Sequence, residues 1–430
     1  MLIAALTLTA HIAFASQDAL PVQPVSAVGY WEGSINLPGM ALPIQVNLAQ
    51  GSGGELQGSI SIPLQSLKDY KLDKVASSGQ EISFRMAGIP GNPTFKGRIE
   101  NGSTKTIKGD FTQGGQSFPF ELKRVGDAKP MAIEATLPKG LTERSVTVGS
   151  SPWGLPGTLT LPQGKGPFPA VVLVHGSGPQ DRDERIGDSR PFRDIAWGLA
   201  EKGIAVLRYD KRTFVHGAKI AAIKDFTLNE ETVDDAVSAV AVAGLIDDIG
   251  ADKVFVLGHS FGGYALGRIA EKCPKAAGFI SLAGMARSLE DTLLEQVMER
   301  GTESAKATIA QAVAKVKSEG LSADTPAGEL PLGIPAPYWL DMRGYDPVTS
   351  LAKSKLPVLI LQGEADIQVT MTDFHLLKKG ISTATSKSFP KLNHLFMLVE
   401  GKSTGAEYYA PGQSVSAEVI QTIAEWIKAK

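Results

Sequence analysis

The 430-residue chain has one cysteine, six histidines and no excess of basic residues. A single cysteine excludes an intrachain disulfide framework and any metal site built from several cysteines. The 43 lysines and arginines face 45 aspartates and glutamates, so no surplus of positive charge is available for phosphates. We therefore expect no nucleic-acid partner. Apolar residues make up 43% of the chain, which is enough for a sizeable core.

Long apolar runs are also missing, apart from one at the N-terminus. Residues 2–15 are largely apolar but shorter than the roughly 20 residues of a membrane span. Ala13-Phe14-Ala15 has the small-x-small pattern of a cleavage site before Ser16, although no Lys or Arg precedes the run. We predict a signal peptide at 1–15, a secreted or periplasmic protein and no membrane span. The alternative is a buried N-terminal strand or helix.

Residues 29–124 have the pattern of an all-β domain. Apolar and polar residues alternate with period two between short breaks of Gly, Asn and Ser, which is typical of half-buried antiparallel strands. No catalytic or metal-ligand spacing is present there, which favours a structural or interaction module over a substrate-binding one. Residues 125–150 are predicted to form a linker and the strand that leads into a second domain.

Residues 151–430 alternate between strand and helix patterns. The strands are continuous apolar runs, as in a parallel sheet covered on both faces. A segment at about 287–354 interrupts the alternation, and we interpret it as a helical cap insertion in which Tyr338 and Trp339 are candidate substrate-binding residues; simple packing is the equal alternative. The predicted strands are Ala170–His175, Ile204–Tyr209, Lys253–Leu257, Gly278–Leu282 and Leu356–Gln362, and the predicted helices are Pro191–Lys202, Asn229–Asp248, Phe261–Lys272 and Ala417–Lys428.

A G-x-S-x-G motif at Gly258–Gly262 marks Ser260 as the candidate nucleophile. Such a nucleophile elbow needs a buried strand before the serine and a helix after it, and Ser260 has both. A second match around Ser403 leads into a loop-like stretch and has no histidine after it. We therefore favour Ser260.

A serine hydroxyl needs a base, and the elbow architecture orders the triad as Ser, then Asp or Glu, then His. Only His375 and His394 follow Ser260. His375 lies in a helix pattern and His394 in a loop after a strand, so His394 is the predicted base. The acid should follow the strand that ends near Gln362. Glu364 and Asp366 both qualify, and Asp366 is favoured.

The negative charge that develops on a substrate carbonyl needs preorganised N–H donors. The backbone N–H of Phe261 is one candidate because it follows the nucleophile. The second should come from the loop after the Ala170–His175 strand, where Ser177 is the first choice and Gly176 the next. No metal or organic cofactor is required for this chemistry.

These motifs carry a resemblance to a known superfamily. From about Trp153 onward the chain resembles the α/β-hydrolase superfamily, and within it the dienelactone-hydrolase-like bacterial esterases. The resemblance implies a mostly parallel sheet flanked by helices, a Ser260–Asp366–His394 triad and activity on short acyl esters. It rests on five blocks: His175–Glu184, Arg208–Arg212, Gly258–Gly263, Gln362–Val369 and Leu392–Phe396. The N-terminal β region also resembles accessory domains that precede some of these esterases.

Dienelactone hydrolases proper use a cysteine nucleophile, whereas this chain has a serine at the elbow. We therefore predict a serine carboxylesterase with a small-molecule ester as its substrate. The alternatives are a serine peptidase or aminopeptidase, for which Asp181, Asp183 or Glu184 could bind an amino group, an acyltransferase or thioesterase, and a non-catalytic binding protein.

Overall fold

A computed structural model describes residues 26–430 except 52, 64–66, 87–88, 90, 92, 101–104, 130–134, 188, 221, 402 and 410–411. The predicted signal peptide at 1–15 lies outside the described residues. Across the described part of the chain, no helix combines the length and the apolar character needed to cross a membrane.

The N-terminal region is an antiparallel sheet in which sequence neighbours pair through hairpins. Its order is β4-β3-β2-β1-β9-β8-β7-β6-β5. The two end strands, β4 and β5, are joined in the chain by Leu72 alone, so the sheet curls back on itself. The Leu72 N–H donates to the Gly58 carbonyl on β3 (2.8 Å). The strands are β1 Gly29–Leu37, β2 Met40–Gln50, β3 Leu56–Ile62, β4 Leu67–Lys71, β5 Asp73–Ser78, β6 Glu81–Arg85, β7 Thr94–Glu100, β8 Thr106–Gln113 and β9 Gln116–Gly126.

Alternation along these strands places one side of each strand in a common core, as period-two patterning requires. Phe95 is fully buried and stacks on Phe84 (ring centroids 4.7 Å apart), while Phe120 meets it edge-on at 5.2 Å. Trp31 is fully buried, and its indole N–H donates to the Ala27 carbonyl (3.0 Å).

The second sheet has eight strands in the order β10-β11-β13-β12-β14-β15-β16-β17. The strands from β13 to β17 in this order pair in parallel, and β10 and β11 add an antiparallel edge. The strands are β10 Thr142–Val148, β11 Leu155–Leu161, β12 Phe168–Val174, β13 Ala205–Tyr209, β14 Ile249–His259, β15 Gly278–Leu282, β16 Val358–Gly363 and β17 Thr385–Phe389.

Helices cover both faces of this sheet. α3 and α4 pack on one face, and α1 and α10 pack on the other, so each central strand is buried on both sides. The helices are α1 Pro191–Ala200, α2 Arg212–Ile220, α3 Asp234–Gly244, α4 Phe261–Lys272, α5 Leu289–Arg300, α6 Glu303–Lys317, α7 Ala336–Met342, α8 Pro347–Lys353, α9 Met371–Gly380 and α10 Ala417–Lys428.

The helix predicted at Asn229–Asp248 differs from the observed element. Its first residues, Asn229–Val233, form a π-helical turn, and α3 ends at Gly244. Hydrophobic periodicity does not distinguish a π turn from an α turn, because the two differ by one hydrogen-bond register. The helical insertion between β15 and β16 contains α5 to α8, and in it Gln296 donates to the Gln368 carbonyl (2.9 Å) in the loop after β16.

Candidate active site

Ser260 lies in the sharp turn between β14 and α4. Its backbone has φ 53° and ψ −115°, a strained conformation for a residue with a side chain. The Ser260 N–H donates to the Leu282 carbonyl on β15 (2.9 Å), which ties the turn to the sheet. The predicted strand–serine–helix context of Ser260 is therefore present.

The glycines of the motif are required by close packing around this turn. A Cβ on Gly258 would lie 2.3 Å from the Gly262 carbonyl oxygen, and a Cβ on Gly262 would lie 2.3 Å from the Val174 carbonyl oxygen. Side chains at either position would collide with backbone atoms, which cannot move aside cheaply. The small residues thus let α4 begin directly against β12 and β14.

Asp366 and His394 meet in the loops that follow β16 and β17. The His394 Nδ1–H donates to Asp366 Oδ2 at 2.7 Å, and both side chains are buried. The Asp366 carboxylate also accepts from Gln362 Nε2 (3.0 Å) and from the N–H groups of Gln368 (2.7 Å) and Val369 (3.0 Å). This set of donors holds the carboxylate in one orientation toward the imidazole.

His394 lies in a tight loop next to the elbow. Asn393 is fully buried, and its Oδ1 accepts from the N–H groups of Leu395 and Met397, both at 3.0 Å. The rings of His394 and His259, the residue before Ser260, are 4.7 Å apart. Within the described residues no hydrogen bond joins the Ser260 hydroxyl to His394, and such bonds are often long without substrate.

The competing candidates from the sequence lie elsewhere. Glu364 accepts a hydrogen bond from the Ser388 hydroxyl (2.7 Å) instead of one from His394. His375 is exposed on α9. The Ser403 hydroxyl is buried against the carboxylate of Glu407.

Two backbone N–H groups near Ser260 are candidates for oxyanion binding. Phe261 is the first residue of α4, so its N–H has no partner within the helix and lies at the positive end of the helix dipole. Ser177 is exposed in the loop after β12. Gly176, the second choice, is excluded as a donor because its N–H already donates to Glu184 Oε1 at 2.7 Å.

A buried Glu184–His259 pair lies directly behind Ser260. His259 Nδ1 is 2.8 Å from Glu184 Oε2, and the His259 Nε2 atom is 3.0 Å from the His394 carbonyl oxygen. Burial by itself would lower the pKa of His259, but the charge of Glu184 outweighs it and raises that pKa. Burial would raise the pKa of Glu184, yet His259 brings it below the usual value. Each partner therefore favours the charged form of the other.

The run of charged residues at Asp181–Arg185 is partly buried, and Glu184 is only 2% exposed. Its charges have partners inside the protein: Arg182 binds Asp210 through two nitrogens (2.9 and 2.7 Å), and Asp183 pairs with Arg208. These ion pairs hold the loop against the end of β13.

Tyr338 and Trp339 are both 1% exposed on α7. The Tyr338 hydroxyl donates to Glu231 Oε2, and the Trp339 indole N–H donates to the Ile334 carbonyl (3.2 Å). Their role in substrate binding stays a prediction.

Sequence reasoning missed Lys211 and Glu231 as parts of the site, and it offered Glu184 only as a carboxylate that could bind an amino group. Lys211 is 2% exposed, and its ammonium donates to the Gly176 carbonyl (2.9 Å) and to Glu231 Oε1 (2.7 Å). The sequence feature that could have indicated Lys211 is the charged block Asp210–Arg212 directly after an apolar strand. Charged residues adjacent to a buried strand often take buried partners.

The chain is similar to several known proteins. The Alpha/beta hydrolase family profile matches residues 171–405. The chain is 40% identical over 296 residues to "Esterase EstD" of Thermotoga maritima, a match that covers 67% of this chain and 68% of the relative.

Two solved structures are more distant. Est1E from Butyrivibrio proteoclasticus has a TM-score of 0.46 at 16% identity, over 66% of this chain and 99% of that one. The acylaminoacyl peptidase of Pyrococcus horikoshii has a TM-score of 0.47 at 13% identity, over 90% of this chain and 61% of that one.

The family match confirms the predicted fold class. The structure agrees with it in its mixed sheet, flanking helices, helical insertion and N-terminal β domain. The similarity to an esterase supports ester hydrolysis of a small-molecule substrate. This chain belongs to the alpha/beta hydrolase family.

Proposed function

We propose that the protein is a serine carboxylesterase with Ser260 as nucleophile, His394 as base and Asp366 as the acid that orients the base. The observation that carries this proposal is the buried Asp366–His394 hydrogen bond of 2.7 Å beside the strained elbow of Ser260. An Nδ1–H held by a carboxylate leaves the Nε2 atom of the same ring free to accept a proton.

In the proposed reaction, Ser260 Oγ attacks the ester carbonyl carbon while its proton passes to His394 Nε2. The resulting oxyanion is bound by the N–H groups of Phe261 and Ser177. Collapse of the tetrahedral intermediate breaks the ester bond, and His394 gives its proton to the leaving alcohol. Water then loses a proton to His394 and attacks the acyl-enzyme, which releases the acid and restores Ser260.

The aminopeptidase alternative has less support. It needs an unengaged carboxylate near the site, and the three candidates already have partners. Asp181 accepts from the Asp183 and Arg185 N–H groups (3.0 and 3.1 Å), Asp183 pairs with Arg208, and Glu184 pairs with His259. An acyltransferase or thioesterase would use the same residues and would differ only in the acyl acceptor or leaving group.

The test compares wild type with Ser260→Ala on p-nitrophenyl esters of rising chain length and on aminoacyl-nitroanilides. We expect ester turnover that is highest for short acyl chains, no anilide turnover, and a loss of kcat of about 10⁴-fold or more in the variant. Ser403→Ala, at the second G-x-S-x-G match, is the matched control and should keep wild-type kcat. Equal activity in wild type and Ser260→Ala would refute the nucleophile assignment.

We also propose that residues 1–15 direct export and that the mature protein begins at Ser16. The apolar run followed by Ala13-Phe14-Ala15 supports this proposal. N-terminal sequencing of protein recovered outside the cytoplasm should read Ser-Gln-Asp.

A further inference from the structure

The Asp210-Lys211-Arg212 block sends its three side chains to three different partners. Asp210 binds Arg182, and Arg212 binds Asp235. Lys211 reaches the part of the loop that lies next to Ser260, where its Nζ donates to the Gly176 carbonyl at 2.9 Å. The mechanism above assigns no role to this buried ammonium.

Lys211 is neutralised on its far side. Its Nζ also donates to Glu231 Oε1 (2.7 Å), and the other oxygen of Glu231 accepts from the Tyr338 hydroxyl. Glu231 lies in the π-helical turn Asn229–Val233, and such turns occur often at functional sites. Burying a lysine costs free energy unless the ammonium is paired, and a loop can be supported without such a buried charge.

The contact made by Lys211 fixes the direction of the Ser177 N–H as well as that of the Gly176 carbonyl. The Gly176 carbonyl and the Ser177 N–H belong to one planar trans peptide, so the two groups point in opposite directions. Fixing the carbonyl toward Lys211 therefore directs the Ser177 N–H away from it. Glycines in the loop would otherwise allow this peptide to rotate easily.

The preceding peptide is held as well, and the loop lies against the nucleophile. The Gly176 N–H donates to Glu184 Oε1 (2.7 Å), and a Cβ on Gly176 would be 3.4 Å from the Ser260 Cβ. The Lys211 ammonium is also 5.6 Å from the centre of the Phe261 ring. Lys211 thus lies next to both residues proposed to bind the oxyanion.

We propose that Lys211 is a positioning residue for ester hydrolysis, and this inference rests on the proposed function. Its ammonium holds the Gly176–Ser177 peptide so that the Ser177 N–H, and not the Gly176 carbonyl, faces the oxyanion. It also polarises that peptide, which makes the N–H a stronger donor. A rotated peptide would present a carbonyl oxygen to the developing negative charge and raise the barrier to acyl transfer.

The test uses Lys211→Met, which keeps the length of the side chain and removes its charge and donors. We expect kcat to fall about 10- to 100-fold with KM changed less than about threefold, somewhat less than the loss of a whole oxyanion donor. A trifluoromethyl ketone, which forms a tetrahedral adduct on the serine, should lose affinity in parallel with kcat/KM. Unchanged kcat and unchanged affinity would overturn the proposal.

The double variant Lys211→Met/Glu231→Gln separates positioning from stability. It removes the carboxylate that the single change leaves unpaired, so the urea midpoint should return toward wild type while kcat stays low. Recovery of kcat together with the midpoint would show a merely structural role and overturn the proposal. The double variant also serves where the single variant does not fold.

Arg212→Met is the matched control, because it also removes a buried cation, one residue along the chain. It leaves Asp235 unpaired, so we expect lower stability but kcat within about threefold of wild type. A kcat loss equal to that of Lys211→Met would overturn the proposal. Labelling of Ser260 by a fluorophosphonate distinguishes the two failures: an unlabelled wild type refutes the nucleophile, whereas a labelled Lys211→Met variant with wild-type kcat refutes only the positioning role.

Discussion

The two sheets of this protein differ in what they bury. Among the described residues of the N-terminal sheet, the buried polar side chains are Asn47, Ser59 and Ser61, none of them charged. The second region buries many charged side chains, most of them at or after the carboxyl ends of its strands. They are Glu184, Arg208, Asp210, Lys211, Arg212, Glu231, Asp235, Asp366 and Asp373.

The described charge pairs of the N-terminal sheet are partly or well exposed, and the most covered of them, Arg85–Asp73, is 31% and 34% exposed. The side chains of Arg98 and Glu81 are 63% and 69% exposed, and those of Lys108 and Glu100 are 50% and 53% exposed. Exposed pairs contribute about 0–1 kcal/mol, whereas breaking a buried pair costs about 3–5 kcal/mol. The first region therefore depends little on buried charge pairs for its stability. The second region contains such pairs, whose disruption is costly, where chemistry needs oriented charge.

The prediction with the largest expected effect concerns Asp366, the buried acid of the second region. Asp366→Asn should lower kcat by about 10⁴-fold, because an amide no longer favours the His394 tautomer with its proton on Nδ1. Steady-state kinetics on a p-nitrophenyl ester measure the loss. Glu364→Gln, two residues earlier, changes a carboxylate that binds Ser388 and should stay within about threefold of wild type. A larger loss in Glu364→Gln than in Asp366→Asn would reverse the assignment of the acid.

The next effect tests the apolar core of the first region. Trp31→Ala removes a fully buried indole and should cost about 3–5 kcal/mol of unfolding free energy in that sheet, while kcat on a small ester stays within about twofold. Calorimetry and kinetics on the same sample measure both. Met40→Ala, half exposed on the same sheet, should change neither. A tenfold drop in kcat in Trp31→Ala would contradict the separation of the two regions.

The smallest effect concerns acid stability. Burial lowers the pKa of His175 to about 4, below the 6.5 of an unfolded histidine. The unfolded chain therefore binds this proton first, and stability falls as the pH drops from about 6.5 to 4. The loss at pH 4 is about 3 kcal/mol. Urea midpoints at pH 7 and pH 4 should show this loss in wild type and less of it in His175→Gln.

Exposed His375→Gln is the control for this measurement and should keep the wild-type acid response. Equal acid responses of His175→Gln and wild type would show that His175 does not contribute the loss. The described part of the first region contains no histidine, so this acid response belongs to the second region.

Much of the fold was predictable from local patterns. Period-two alternation predicted the N-terminal strands, and continuous apolar runs predicted the strands of the second sheet, because burial on one face or on two faces constrains sequence directly. The position of Ser260 was predictable for a similar reason: its turn needs glycines at Gly258 and Gly262. The π turn at Asn229–Val233 was not, since its hydrophobic pattern matches that of an ordinary helix.

The choice between Asp366 and Glu364 shows where sequence reasoning ends. Both residues follow β16, and only the path of the loop brings one of them to His394 and the other to Ser388. The partners of Lys211 were hidden for the same reason, because Gly176 and Glu231 lie 35 and 20 residues away along the chain.

The sequence by itself determined the two kinds of sheet, the elbow serine and the order of its candidate partners. Those features depend on side-chain periodicity and on residues that are neighbours in the chain. Only the tertiary structure decided which carboxylate meets the histidine, that Glu184 engages the Gly176 N–H beside Ser260, and which charges are buried. These outcomes depend on contacts between distant segments, whose geometry is set by the packing of the whole sheet.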